Sequence, residues 1–174
     1  MQALQVNGRK AMGVAMFMKV DGATGESADK QHTGWSDIQS FSWGATQPAA
    51  MAVGGGGGAG KANFDDLVVM AYMDKATPAI IKHCASGKHL SKVEISSCKT
   101  GGEQIEFSHV TLEEVIVTTA RVLGSDASDT ADRLLMQYGF QAARVKKQYW
   151  EQNENGGKGP EVTMGWDIKK NSEM

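Results

Sequence analysis

In several segments of this chain apolar and polar residues alternate with a period of two, other short runs are apolar on both faces, and in one segment the period lengthens to that of a helix. Val14–Val20 sets Ala15 and Phe17 on one face and Val14, Met16, Met18 and Val20 on the other, which predicts a strand covered on both sides. Ile38–Ala45 alternates more cleanly, with Phe41 and Trp43 opposed to Ser40 and Ser42, and reads as a half-buried strand. Leu67–Tyr72 is a third strand. Leu90–Lys99 and Gln104–His109 flank Thr100-Gly101-Gly102-Glu103 as a hairpin. Val115–Val122 follows a bulge or bend around Leu112-Glu113-Glu114, and a long strand runs from Leu134 through Phe140 toward Trp150. The last strand, Glu161–Ile168, alternates Val162, Met164, Trp166 and Ile168 against Thr163, Gly165 and Asp167.

Asp74–Gly87 is the helical segment. Thr77 is placed to act as N-cap, Pro78 occupies the first turn, where a missing N–H costs nothing, and Gly87 suits the left-handed residue that ends a helix. Ile80, Ile81, Cys84 and Ala85 form one apolar stripe that should pack on a sheet. About eight short strands with a single helix predict a mainly β protein, an antiparallel barrel or sandwich rather than a series of βαβ units.

At 174 residues the chain fits one domain with a core large enough to need no disulfide or metal. Met1–Gly13 shows no sustained period and reads as a leader before a domain spanning residues 14–171, with 172–174 as a tail. A formal charge of −2 gives no general attraction to nucleic acid or anionic lipid, so neither is expected as a partner. No run is long enough for a membrane span, and the leader lacks the apolar core of a secretory signal, so synthesis and folding in the cytoplasm are expected. Cys84 and Cys98 lie in different predicted elements and form no C-x-x-C pair, so free thiols are expected.

Val53–Phe64, with five consecutive glycines at Gly54–Gly58, raises a nucleotide-binding alternative, because Gly55, Gly60 and Lys61 match G-x-x-x-x-G-K. The match fails at Ala62, where the magnesium-binding loop requires a Ser or Thr hydroxyl, and the downstream segment Leu67–Tyr72 reads as a strand rather than a helix. Fixing five glycines would cost on the order of 5–10 kcal/mol of backbone entropy. That rivals the about 5–15 kcal/mol net stability of a domain. Such a loop either stays mobile or is ordered by a partner.

Catalytic constellations are absent from the pattern. His32, His83, His89 and His109 show no metal-ligand spacing, so no metal or cofactor is expected. The carboxylate pairs Asp65-Asp66 and Glu113-Glu114 should point to opposite faces of a strand and so fail to converge. No nucleophile elbow appears. Trp35, Trp43, Trp150 and Trp166 fall at predicted strand positions, where packing is the commoner role.

Several separate motifs occur in one order: Val14–Gly22, Gly25-Glu26-Ser27, Phe41-Ser42-Trp43-Gly44, Gly54–Phe64, Asp74–Pro78, Ala85–His89 and Gly165-Trp166-Asp167 with Asn171. Together they closely resemble the Hcp family (haemolysin-coregulated protein), the tube protein of bacterial type VI secretion systems. The resemblance runs from about Val14 to Asn171. It implies a β-barrel with a flanking helix and no enzymatic activity, hexameric rings that stack into a hollow tube, a spike protein and a contractile sheath as partners, and small effectors carried in the lumen. Release from the cell without a signal peptide is implied too. It also implies that the extended loop makes subunit contacts, with Trp43, Gly44, Pro48, Met51, Gly54, Gly55, Gly56, Gly57, Gly58, Gly60, Lys61 and Phe64 at the interface. The lumen-lining residues stay unassigned. With no toxin domain after Asn171, a plain tube subunit is expected.

Overall fold

A computed structural model describes residues 13–48, 60–124 and 133–174. Among these it contains ten strands and one helix: β1 (Gly13–Val20), β2 (Ser36–Ser42), β3 (Ala45–Thr46), β4 (Asn63–Phe64), β5 (Leu67–Tyr72), α1 (Thr77–Ser86), β6 (Leu90–Thr100), β7 (Ile105–Leu123), β8 (Leu135–Gln152), β9 (Lys158–Asp167) and β10 (Ser172–Glu173). All pairings are antiparallel.

Strand β8 closes the architecture. Its first part, Leu135 to Phe140, pairs with β5, its second part, from Arg144 to Gln152, pairs with β9, and β7 lies along its other edge. The order β8-β5-β2-β1-β6-β7 therefore returns to β8 as a closed barrel of six strands, and β9 and β10 continue the sheet outside it. Closure removes sheet edges over most of the molecule. Inward residues such as Leu67, Val69, Val93, Ile95, Leu112 and Phe140 are all at 1 % exposure or less and form one core. Each fully buried side chain of this size contributes about 1.5–3 kcal/mol.

The predicted mainly β barrel with one flanking helix is observed, with local corrections. Ala76, not Thr77, is the N-cap residue, and it makes no side-chain capping bond. Thr77 is turned inward instead, its hydroxyl 2.8 Å from the Tyr138 phenol, while Asp74 Oδ1 accepts the Ala76 N–H. A buried phenol needs a partner more than an exposed helix end does. Gly87 takes the left-handed φ of 65° expected of it. The apolar stripe is narrower than predicted: Ile80 is buried and Cys84 packs against the core, while Ile81 and Ala85 face solvent.

The two strands predicted on either side of residues 112–114 are one strand, β7. Glu114 has φ 51°, so the backbone bends there while pairing with β8 keeps its register from Glu113 to Val115. Strand β2 ends at Ser42, before Trp43. Both cysteines are free.

Residues 24–35 fold over the outer faces of β1 and β6. Gly25 N–H donates to Gly34 O and Ser27 N–H to Trp35 O, each at 2.8 Å. A Cβ on Gly25 would lie 2.3 Å from Trp35 O, so only glycine permits this approach. The His32 ring is thereby laid flat on Phe17, with centroids 4.1 Å apart.

Candidate functional site

Two regions stand apart from the packed core: an arm that leaves the barrel and a polar cluster beneath residues 24–35. The arm is built by β3 and β4, which pair through Ala45 with Phe64 and Thr46 with Asn63 and join no other strand. At its root the Trp43 and Phe64 rings stack at 6.1 Å, both packed against the core, and Asp65 N–H donates to Gly44 O. Farther out, Gly60 N–H donates to Pro48 O and the Gln47 amide donates to Gly60 O. Ala45, Thr46, Gln47, Pro48, Gly60, Lys61 and Asn63 are exposed.

Of the interface residues expected from the sequence, Trp43, Gly44 and Phe64 are brought together at the arm's root, and Pro48 meets Gly60 farther along. Lys61 is exposed just before β4. Met51 and Gly54–Gly58 lie outside the described residues. No helix begins after Lys61: the next element is β4, and α1 starts only at Thr77. The helix N-terminus on which a phosphate loop relies is missing behind this lysine.

A separate apolar face lies on β8 and β9. Tyr149 pairs with Val162 and Lys147 with Met164, which puts these side chains on one face of β8 and β9. Tyr149 (46 %), Val162 (67 %) and Met164 (41 %) are exposed there. Among the described residues, the outer edge of β9 is paired by β10 only at Asp167 and Trp166.

The polar cluster was invisible in the sequence because its members come from four separate segments. His109 Nδ1 lies 2.8 Å from Glu106 and its Nε2 3.3 Å from Glu94. Burial by itself would depress the imidazole, but the hydrogen bonds and charges of Glu106 and Glu94 outweigh it and raise its pKa to about 9. Burial likewise pushes the Glu106 carboxyl up, and its bonds to His109 and Ser96 with the nearby Lys158 outweigh that, to about 2. The bond to His109 also lowers Glu94. Cross-strand register explains the meeting, since Ser96 sits opposite His109.

Part of the cluster has the connectivity of an acyl-transfer triad: Asp29 Oδ1 to His32 Nδ1 is 2.6 Å and His32 Nε2 to Ser96 Oγ is 3.0 Å. Two facts oppose a nucleophilic role. Ser96 is fully buried, and its hydroxyl is 2.5 Å from Glu106, a carboxylate that takes the single hydrogen. The arrangement fastens residues 24–35 to the barrel.

The adjacent carboxylates Glu113 and Glu114 do converge, contrary to the expectation from strand alternation. Arg144 Nε donates to Glu113 and its Nη1 to Glu114. The positive φ of Glu114 breaks the alternation and turns both acids to one arginine. Trp150 and Trp166 are strand residues as expected, whereas Trp35 precedes β2 and Trp43 follows it. Among the described residues, no cluster of three or more metal-ligating side chains occurs, and no helix is long and apolar enough to cross a membrane.

Fold and site define a barrel scaffold whose reactive groups are bound to one another and whose arm and apolar strand face are turned outward. Comparison with known proteins is consistent with this. A family model described as "Type VI secretion system effector, Hcp" matches residues 17–149. Protein hcp1 of Pseudomonas aeruginosa is 41 % identical over 162 residues, covering 92 % of this chain and 98 % of that protein. A solved type six secretion system protein superposes with a TM-score of 0.86 at 27 % identity, covering 93 % of this chain and all of that one. Hcp1 of Salmonella typhimurium gives 0.77 at 29 % identity, covering 94 % of this chain and all of that one. The chain belongs to the Hcp family of type VI secretion system proteins.

Proposed function

We propose that this chain is the tube subunit of a type VI secretion system. Six copies close a ring, and rings stack into a hollow tube within a contractile sheath and beneath a spike. Contraction expels the tube, and small effectors travel in its lumen. The subunit is made in the cytoplasm and leaves without a signal peptide; its work is assembly and carriage rather than catalysis.

The arm is the observation that carries this reading. A two-stranded ribbon paired over two residues on each side buries too little to be stable alone, since isolated hairpins are marginal in water. Its direction is nonetheless fixed by the Trp43–Phe64 stack. The glycine-rich segment it leads into would cost on the order of 5–10 kcal/mol to order. A neighbouring copy supplies the surface that offsets this cost. The exposed Tyr149, Val162 and Met164 provide a second apolar face for such contacts.

Light scattering on the purified chain should return the mass of a hexamer, and negative-stain images should show rings. A monomer at every concentration tested would overturn the proposal.

A further inference from the structure

A cavity of about 530 Å³ opens on the outer wall of the barrel, between residues 31–35, the turn joining β6 to β7, and the start of β9. Its size lies within the range of about 300–1,000 Å³ typical of small-molecule sites. One wall carries the Trp35 indole, held edge-on against the rings of His32 at 4.9 Å and His109 at 6.3 Å. A half-buried indole fixed by two neighbours is a preorganised surface, and the Lys19 ammonium lies over the ring 5.9 Å from its centroid, so a neutral ligand stacks on the side away from it.

The charges in the cavity are already matched. Glu106 is paired with His109 at 2.8 Å and with Lys158 at 3.3 Å, and Lys158 also lies over the Trp150 ring. A strongly charged ligand would have to break these pairs. What remains unmatched is neutral or at the rim. The side-chain amide nitrogen of Gln104 is buried with no acceptor among the described residues. Gln31 and Glu103, both exposed at the cavity, have no side-chain partner among those residues. Leaving a buried donor unpaired costs about 1–3 kcal/mol, and rotation of the terminal amide would present it to an oxygen placed in the cavity.

An extended peptide is poorly suited to this wall. Peptides are held by unpaired strand edges; the β7 backbone is paired with both β6 and β8 from Ser108 and His109 onward, and only Ile105 and Glu106, which pair with β6 alone, leave a short edge beside the cavity. An aromatic wall with planar amides and a carboxylate suits a neutral ligand having one apolar C–H face and several hydroxyls. We propose that this cavity is a binding site for a neutral saccharide, stacked on Trp35 and hydrogen-bonded by Gln31, Glu103 and Gln104. The site lies within one subunit and does not depend on ring formation.

The full chain, labelled with 5-fluorotryptophan, is to be titrated with glucose, galactose and cellobiose, and separately with triglycine, while the ¹⁹F resonances are followed. At least one saccharide should shift the Trp35 resonance saturably while Trp43 and Trp166 stay in place. By calorimetry, Gln104→Ala should weaken that binding by up to about tenfold, the equivalent of one neutral hydrogen bond. Trp35→Ala should abolish it. Gln104→Ala leaves the indole and its ring contacts in place, so it tests the site even if Trp35→Ala loosens residues 24–35. The proposal is overturned if none of the three saccharides shifts Trp35, if triglycine does so in their place, or if Gln104→Ala binds as tightly as the unaltered chain.

Discussion

The arm and the polar cluster beneath residues 24–35 are both made of polar and aromatic side chains on the outside of one barrel, yet they solve opposite problems. In the cluster nearly every group has its partner inside the subunit: Asp29 with His32, Ser96 with Glu106, His109 with two carboxylates. In the arm the described strand pairing covers two residue pairs, Gln47 and Pro48 bond to Gly60 beyond them, and the described side chains outside the root face solvent. A region satisfied within its own chain stabilises the fold. A region that is aimed but left incomplete is free to contribute to contacts between chains.

Deleting Gly54–Gly58 should separate the two regions most sharply. Ring assembly should be lost, while the dissociated subunit should unfold in urea within about 0.5 kcal/mol of the unaltered chain, the usual range for changes away from packed or bonded features. Rings of normal stability in the deletion would show that the arm is not an assembly element.

The reciprocal change is His109→Leu, which leaves Glu94 and Glu106 half-buried without their shared cation. A loss of about 3 kcal/mol in urea unfolding is expected, the lower end for breaking a buried pair, because the carboxylates keep some contact with water. Assembly of the folded fraction should persist. The triple change Glu94→Gln, Glu106→Gln and His109→Gln should recover part of the loss, since no unpaired charge remains.

The cluster should also respond to pH. The imidazole is raised from its ordinary 6.5 to about 9, so its contribution is complete below 6.5 and fades as the pH rises through 9. Glu106 is depressed from its ordinary 4.5 to about 2, so its contribution is complete above 4.5 and fades as the pH falls through 2. The stability difference between the unaltered chain and His109→Gln should therefore be greatest between pH 4.5 and 6.5 and should shrink toward pH 9. A difference that stayed flat across this range would mean that His109 acts by packing alone.

Smaller effects probe the barrel beneath both regions. Thr77→Val removes the only hydrogen-bond partner of the Tyr138 phenol among the described residues and should cost about 1–2 kcal/mol by thermal unfolding. Ile81→Lys, on the exposed side of α1, should change stability by no more than about 0.5 kcal/mol.

Much of the fold was legible in the chain. Short apolar or β-prone runs bounded by turn residues located β1, β5 and β6 within one residue of each end, because runs of that length between turn signals fit a strand better than a helix. Pro78 and Gly87 marked the helix because their backbone preferences are local. The order of motifs pointed to the family without any knowledge of the fold. The failures share a cause. Thr77 looked like a cap until Tyr138 claimed its hydroxyl from across the fold, and Glu113 and Glu114 looked divergent until one positive φ turned them together.

By itself, then, the sequence determined the strands, the helix, the family and the entropic cost of ordering the glycine-rich segment, all of which rest on near-neighbour patterning and chain entropy. Barrel closure was decided only in three dimensions, because it depends on β8 pairing with β5 along one edge and with β7, remote in the sheet order, along the other. So was the network joining Asp29 and His32 to Ser96, Glu106 and His109. Those residues are remote along the chain, and only strand register and the fold of residues 24–35 bring them within hydrogen-bonding distance.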